Sequence, residues 1–335
     1  MSNPNSQTPP ESRAETTQYF PAVDTHLIHS KHVAQTYKIQ IMQPAQIRGA
    51  GARFPVIYVS DGNFTFDALK GISYSIQGAS PDAPQFILVG ISYPSECPEA
   101  GAVLRIRDMT FPGDPQLSTE PPPIEGVLVA EAGPGIFAGA ALYQDFLLEE
   151  LFPFIDARYG TLPDDRTYFG HSLSGGFGLS TLFTRPELFR RYIISSPALS
   201  YHGESATGEH YDNTEYLIAR AREFLKSGRV LSPTTLYVSV GADEEFEPAL
   251  RIWQMSSSFY RFVSFLKAAA IPDLQLIAES FPGERHMTVW PMAFIHGAQA
   301  VFSTGNWSST NARHRSGQAQ SATNPRARVA RGARN

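Results

Sequence analysis

The chain is short of cysteine, of charge and of long apolar runs, and each shortage removes a class of protein. Its 335 residues include one cysteine, Cys97. No internal disulfide can form, and no thiolate cluster can hold zinc or iron–sulfur. A reducing, cytoplasmic setting suits such a chain. Charged residues make up 18% of it, too few for a long coiled coil or helical solenoid, which draw heavily on Glu, Lys, Ala and Leu. The opening stretch MSNPNSQTPPESRAETTQ has neither a basic n-region nor an apolar h-region. No uninterrupted apolar run approaches the roughly 20 residues that span a bilayer, so neither secretion nor membrane insertion is expected. What the chain does have is core material. At 42% hydrophobic and 12% aromatic, with 22 Phe and 14 Tyr, it can bury a sizeable interior.

The net charge is −5, but Arg313, Arg315, Arg326, Arg328, Arg331 and Arg334 crowd the last thirty residues, which contain no Asp or Glu. With those six removed, the rest of the chain stands at −11. A body so acidic is a poor nucleic-acid binder, because neutralising phosphates drives that association. The Ser, Asn, Gly and Ala between these arginines predict disorder over 304–335, and 1–18 reads as a disordered leader. One domain, 19–303, is expected between them.

Thr25 to Ile28 and Tyr37 to Met42 alternate as half-buried strands do, with a connection suited to an antiparallel hairpin. The pattern then changes to short continuous apolar runs. Pro55 to Ser60, Phe86 to Ile91, Thr167 to Phe169, Tyr192 to Ser195, Leu236 to Val240 and Leu274 to Ile277 read as parallel strands covered on both faces. Helical spacing lies between them, as in Phe146, Leu147, Leu151, Phe152 and Ile155. This alternation predicts an α/β fold with a mostly parallel sheet, an antiparallel N-terminal hairpin and helices on both faces. Residues 98–140, rich in Pro and Gly, interrupt it and read as a lid or substrate loop.

Chemistry enters at Gly170-His171-Ser172-Leu173-Ser174-Gly175-Gly176, which follows a strand and precedes an amphipathic helix. That is the context of a nucleophile elbow, a sharp turn that lifts a serine hydroxyl above the sheet edge and demands small neighbours. Ser174 occupies a position where glycine is usual. Such a serine needs a carboxylate and then a histidine later in the chain. Gly241-Ala242-Asp243-Glu244-Glu245 follows one strand and supplies the acid, with Glu244 favoured, Asp243 the alternative and Glu245 third. Phe281-Pro282-Gly283-Glu284-Arg285-His286 follows the last strand and puts His286 in a loop at the same edge. The oxyanion hole is expected from the backbone N–H groups of Leu173 and of Asn63, the latter in the turn Asp61-Gly62-Asn63. Asp61, Gly62 and His171 are expected to line the cleft. Arg105 and Arg107, spaced as on one face of a strand, sit at its margin, either gripping substrate or clamping a nearby acid such as Asp108.

Together with "THLIHSKHVAQTYKIQIMQP", "VIYVSDGN" and "RIRDMTFP", the elbow "GHSLSGG", the acids "GADEE" and the histidine segment "GERH" resemble the bacterial putative-esterase family of α/β hydrolases. That family includes the ferric-enterobactin and salmochelin esterases and is related to S-formylglutathione hydrolase. The resemblance runs from about residue 24 to about residue 300. It implies an α/β-hydrolase fold, a carboxylic ester as small-molecule substrate, and Arg105 or Arg107 near a bound acid or catecholate. The reading is a serine esterase working through an acyl-enzyme without cofactor or metal. A siderophore trilactone esterase, an acyltransferase and a non-catalytic binding protein are the alternatives. The oligomeric state is not legible.

Overall fold

The computed structural model describes residues 22–45, 51–79, 83–94, 98–111, 138–199 and 213–303. The expected leader, the expected tail, Cys97 and most of the expected lid, 112–137, lie outside the described residues. Eight strands form one sheet in the order β1-β2-β4-β3-β5-β6-β7-β8. They are β1 (Val23–His29), β2 (Thr36–Met42), β3 (Phe54–Val59), β4 (Ile87–Ser92), β5 (Thr161–His171), β6 (Arg191–Ser195), β7 (Thr234–Gly241) and β8 (Leu274–Phe281). The β1–β2 hairpin is antiparallel, and β2 runs antiparallel to β4. All other pairings are parallel. The α/β-hydrolase architecture expected from the alternation is therefore the one observed.

Strand periodicity explains how both faces are filled. On β3, Val56 and Tyr58 enter one core while Ile57 and Val59 enter the other. The smaller core lies beneath α1 (Gly62–Gly78) and α8 (His286–Phe302), which contribute Phe66, Leu69, Phe294 and Ala298. The larger core takes side chains from α2 (Pro98–Met109), α3 (Ala140–Asp145), α4 (Phe152–Arg158), α5 (Leu173–Thr184), α6 (Asn213–Lys226) and α7 (Met255–Ala269). Between α3 and α4 the backbone widens into a π-helical turn, Phe146–Leu151, so one continuous run carries the apolar positions predicted there.

One expectation is corrected. Residues 98–109 are not structureless but form α2, so Arg105 and Arg107 lie on a helix and do not share a face as they would on a strand. The end of α2 is pinned to the start of α3. Gly139 N–H donates to the Arg107 carbonyl at 2.9 Å, and Ala140 N–H to the Thr110 carbonyl at 3.0 Å.

Two glycines let the smaller layer sit close to the sheet. A Cβ at Gly90 would fall 2.4 Å from the Phe66 ring of α1, and one at Gly297 would fall 2.3 Å from Ile193. Gly297→Val should therefore overpack the α8–sheet contact and lower the unfolding free energy by about 1–3 kcal/mol. Urea denaturation checks this; an unchanged midpoint would mean that α8 has room to spare.

Candidate active site

The parallel strands deliver their carboxyl ends to one edge, where ligands collect in open α/β sheets. At the end of β5 the chain turns through Ser172, whose φ of 60° and ψ of −120° are unfavourable for a residue with a Cβ. Backbone hydrogen bonds hold the turn. Ser172 N–H donates to the Ser195 carbonyl at 3.0 Å, and the Ser172 carbonyl accepts from Gly176 and Ala198 at 3.0 and 2.9 Å. The small flanking residues are required by space, since a Cβ at Gly170 would lie 2.4 Å from the Ser174 carbonyl oxygen. Leu173 begins α5, so its N–H precedes the first intrahelical acceptor.

Across the edge, Asp61 ends β3 in the left-handed region and caps α1 through its backbone. Its carbonyl takes the N–H groups of Phe64 and Thr65 at 2.9 and 3.2 Å. Those of Gly62 and Asn63 precede any intrahelical acceptor. Asn63 thus sits in the first turn of a helix, not in an isolated turn. Its side chain clasps the end of β4, with Nδ2 donating to the Tyr93 carbonyl at 2.9 Å and Oδ1 accepting the Tyr93 N–H at 2.7 Å. Gly62 keeps the turn close against β4: a Cβ there would lie 2.4 Å from Ser92 Oγ and 3.1 Å from the Ile91 carbonyl oxygen.

Of the three consecutive acids, Glu244 is the one whose carboxylate meets the histidine. His286 Nδ1 lies 2.7 Å from Glu244 Oε2, and the Glu244 side chain is fully buried. Its other oxygen accepts the Gly241 N–H at 2.7 Å and a short hydrogen bond from the Ser196 hydroxyl. Glu245 turns away to the Ser257 N–H and hydroxyl at the start of α7. His286 is not in a loop but is the first residue of α8, and its backbone N–H donates to Glu247 Oε1 at 2.8 Å. Ser196, at φ 39°, and Glu247 are supports that the sequence did not disclose.

His171 lies against this pair. Its ring centroid is 4.5 Å from that of His286, its Nδ1 is 3.2 Å from Ser195 Oγ, and its Nε2 has no hydrogen-bond partner among the described residues. Burial, then the neighbouring His286 and Arg105, hold this imidazole well below its ordinary value of 6.5, so it stays neutral. No hydrogen bond joins Ser172 Oγ to His286 among the described residues, and apo sites commonly close that contact only with substrate.

Both arginines at the margin are occupied by acids. Arg105 forks onto Asp61, Nε to Oδ1 at 2.5 Å and Nη2 to Oδ2 at 3.0 Å. Burial works against its charge, while the charge and hydrogen bonds of Asp61, with Tyr93 and Tyr168 nearby, favour it, and the net shift is upward. Arg107 Nε donates to Asp108 Oδ1 at 2.6 Å. The buried Asp108 also accepts the Tyr37 and Tyr93 hydroxyls at 2.6 and 2.8 Å. Burial and the Asp108 charge push both phenols upward. Each arginine is thus paired with an acid, the geometry of the clamp alternative. Among the described residues no cluster of three or more His, Cys, Asp or Glu could hold a metal ion, and no helix is long and apolar enough to cross a membrane.

The depressed His171 has a sign that can be tested. Below pH 6.5 the unfolded chain protonates this residue and the folded chain does not, so stability should fall with pH by up to ~1.4 kcal/mol per unit. His171→Gln should lose less stability than the parent between pH 7.5 and 5.5, as read by urea unfolding. Parallel curves would contradict the assignment.

Comparison with known proteins bears on the family and the fold. The chain is 28% identical over 279 residues to the ferri-bacillibactin esterase BesA of Bacillus subtilis (strain 168), covering 82% of this chain and 87% of that one. It is 29% identical over 222 residues to the siderophore triacetylfusarinine C esterase of Aspergillus fumigatus, covering 64% and 66%. Among solved structures, siderophore hydrolase EstA of Aspergillus nidulans superposes with a TM-score of 0.69 at 20% identity, over 87% of this chain and 98% of that one. The BES protein of Bacillus cereus gives 0.66 at 22%, over 88% and 100%. At those identities the superpositions speak for the fold. The family model described as Putative esterase matches residues 128–299, just over half of the chain, and the chain belongs to this family of carboxylic ester hydrolases.

Proposed function

We propose that Ser172 is the nucleophile of this esterase, His286 its general base, and Glu244 the acid that fixes the tautomer of His286. With Nδ1 committed to Glu244, the other ring nitrogen is left to take the Ser172 proton as the hydroxyl oxygen attacks the ester carbonyl. The N–H groups of Leu173 and Asn63 then receive the oxyanion. Collapse expels the alcohol, which takes the proton from His286. Water attacks the acyl-enzyme with His286 again as base, releasing the acid and regenerating Ser172. The observation that supports this reading most is the buried Glu244 carboxylate bonded to His286 at the sheet edge that carries the strained Ser172.

The substrate is a small-molecule ester, and a siderophore ester is the specific candidate. Two curated relatives, at 29% and 26% identity, are named as siderophore esterases, and a third, at 28%, as a ferri-bacillibactin esterase. A panel setting a cyclic trilactone siderophore against simple p-nitrophenyl esters tests this; a kcat/KM no better on the trilactone would leave general ester hydrolysis alone. The single cysteine suits work in the cytoplasm.

Ser172→Ala and His286→Ala should each lower kcat on a p-nitrophenyl ester by about 10⁴–10⁶, and the double variant should be no worse than either single one. Turnover within a few fold of the parent in Ser172→Ala would end the proposal. Glu244→Gln should cost on the order of 10³–10⁴ through the wrong imidazole tautomer, while Asp243→Asn stays within a few fold. The reverse ranking would move the acid to Asp243.

A further inference from the structure

The serine two residues after Ser172 has a place of its own. Ser174 is fully buried, and its hydroxyl joins two segments that are 113 residues apart in sequence. Oγ lies 2.7 Å from Asp61 Oδ2 and 2.9 Å from both the His171 N–H nitrogen and the His171 carbonyl oxygen. A hydroxyl has one hydrogen, and the charged oxygen at the shorter distance takes it, leaving Oγ to accept the His171 N–H. Asp61 in turn holds the Arg105 fork, whose Nη2 also approaches the His171 carbonyl at 3.4 Å. One residue type in one elbow position thus ties the turn before α1 to the turn before α5.

We propose that Ser174 is a positioning residue for catalysis: through Asp61 and Arg105 its hydroxyl sets the spacing between the N–H groups of Leu173 and Asn63. This rests on the reading of those two groups as the oxyanion hole. Each N–H belongs to the first turn of its helix, so its place is fixed by the residue that caps the helix: Asp61 for Asn63, and Ser172, between His171 and Ser174, for Leu173. The Ser174–Asp61 hydrogen bond ties the first turn of α5 to the cap of α1, beside the Tyr168 hydroxyl that bridges Ser60 Oγ and the Ser174 carbonyl. Charge matters as well. A bare carboxylate two residues before an oxyanion donor would oppose the charge that develops there, and the Arg105 fork neutralises it. Arg105 is then spent on Asp61 and acts through it, equally for neutral and anionic substrates.

Ser174→Ala removes the hydrogen bond and opens little space. It should lower kcat roughly 10–100-fold, the scale of a small misplacement in an organised site, and leave KM within about threefold on both a neutral and an anionic ester. A boronic acid, which becomes tetrahedral on Ser172, should lose affinity in step with kcat/KM, because it needs the same two donors. Ser174→Cys, which retains a weak donor, should fall between the parent and Ser174→Ala, and serves as the test if the alanine variant does not fold. Asp61→Ala combined with Ser174→Ala should cost no more than Asp61→Ala alone, since removing the carboxylate already removes the link to Ser174.

Three results would overturn the proposal. An unchanged kcat with a lowered melting temperature would reduce Ser174 to a cross-link between strands. Equal losses in Ser174→Ala and Ser174→Cys would point to packing. A raised KM with kcat intact would return Arg105 to substrate binding. Ser172→Ala, run alongside, keeps the two readings apart: activity surviving there defeats the nucleophile assignment itself, whatever Ser174 does.

Discussion

A serine held at φ 60° and ψ −120° persists only where its surroundings overrule the local preference, and much of the sheet edge is organised around that requirement. Such a conformation costs of order 1–3 kcal/mol. Three backbone hydrogen bonds, from Ser172 to Ser195 and from Gly176 and Ala198 to Ser172, offset it. Two of the three reach β6 or the chain just after it, so the elbow exists because β5 and β6 are paired in register as far as His171 and Ser195. The glycines around it remove side chains that would collide with the returning backbone.

Buried carboxylates fix the remaining parts, and each is satisfied differently. Asp108 accepts two tyrosine hydroxyls and an arginine, and fastens α2 to the hairpin layer. Asp61 accepts a guanidinium fork and a serine hydroxyl, and joins the ends of β3 and β5. Glu244 accepts a backbone N–H, a serine hydroxyl and an imidazole, and among the described residues pairs with no lysine or arginine. Burying a carboxylate is tolerated only with such partners, and removing one partner leaves the charge uncompensated. The acid without a permanent cation is the one facing the histidine that would become positive during proton transfer.

The order of strands, the hairpin and the elbow were legible because they depend on periodicity and on residue size, which a sequence states directly. Less was legible where a side chain's direction decides the outcome. Whether Asp243 or Glu244 meets His286 depends on a short 3₁₀ turn over Glu244–Phe246 and on the bare Cα of Gly241 beside the carboxylate, neither of which leaves a periodic trace. The segment PEAGAVLRIRDM has only a weak apolar stripe, so its sequence does not announce α2, and two arginines two apart fit a strand as well as a helix. Ser174 was visible as a departure from glycine, but its bond to Asp61 needs the contact between β3 and β5 to be known. Ser196, which steadies Glu244 from the end of β6, left no signal, since serines at strand ends are ordinary.

The central claim is that one hydroxyl, on Ser172, carries the covalent chemistry. Mass spectrometry of the peptides after reaction with a fluorophosphonate addresses it directly, because the reagent marks the activated serine whatever the natural ester is. The account predicts a single stoichiometric adduct on the peptide containing Ser172, absent from His286→Ala under the same conditions. An adduct on another residue, or full esterase activity in protein that takes up none, would contradict it.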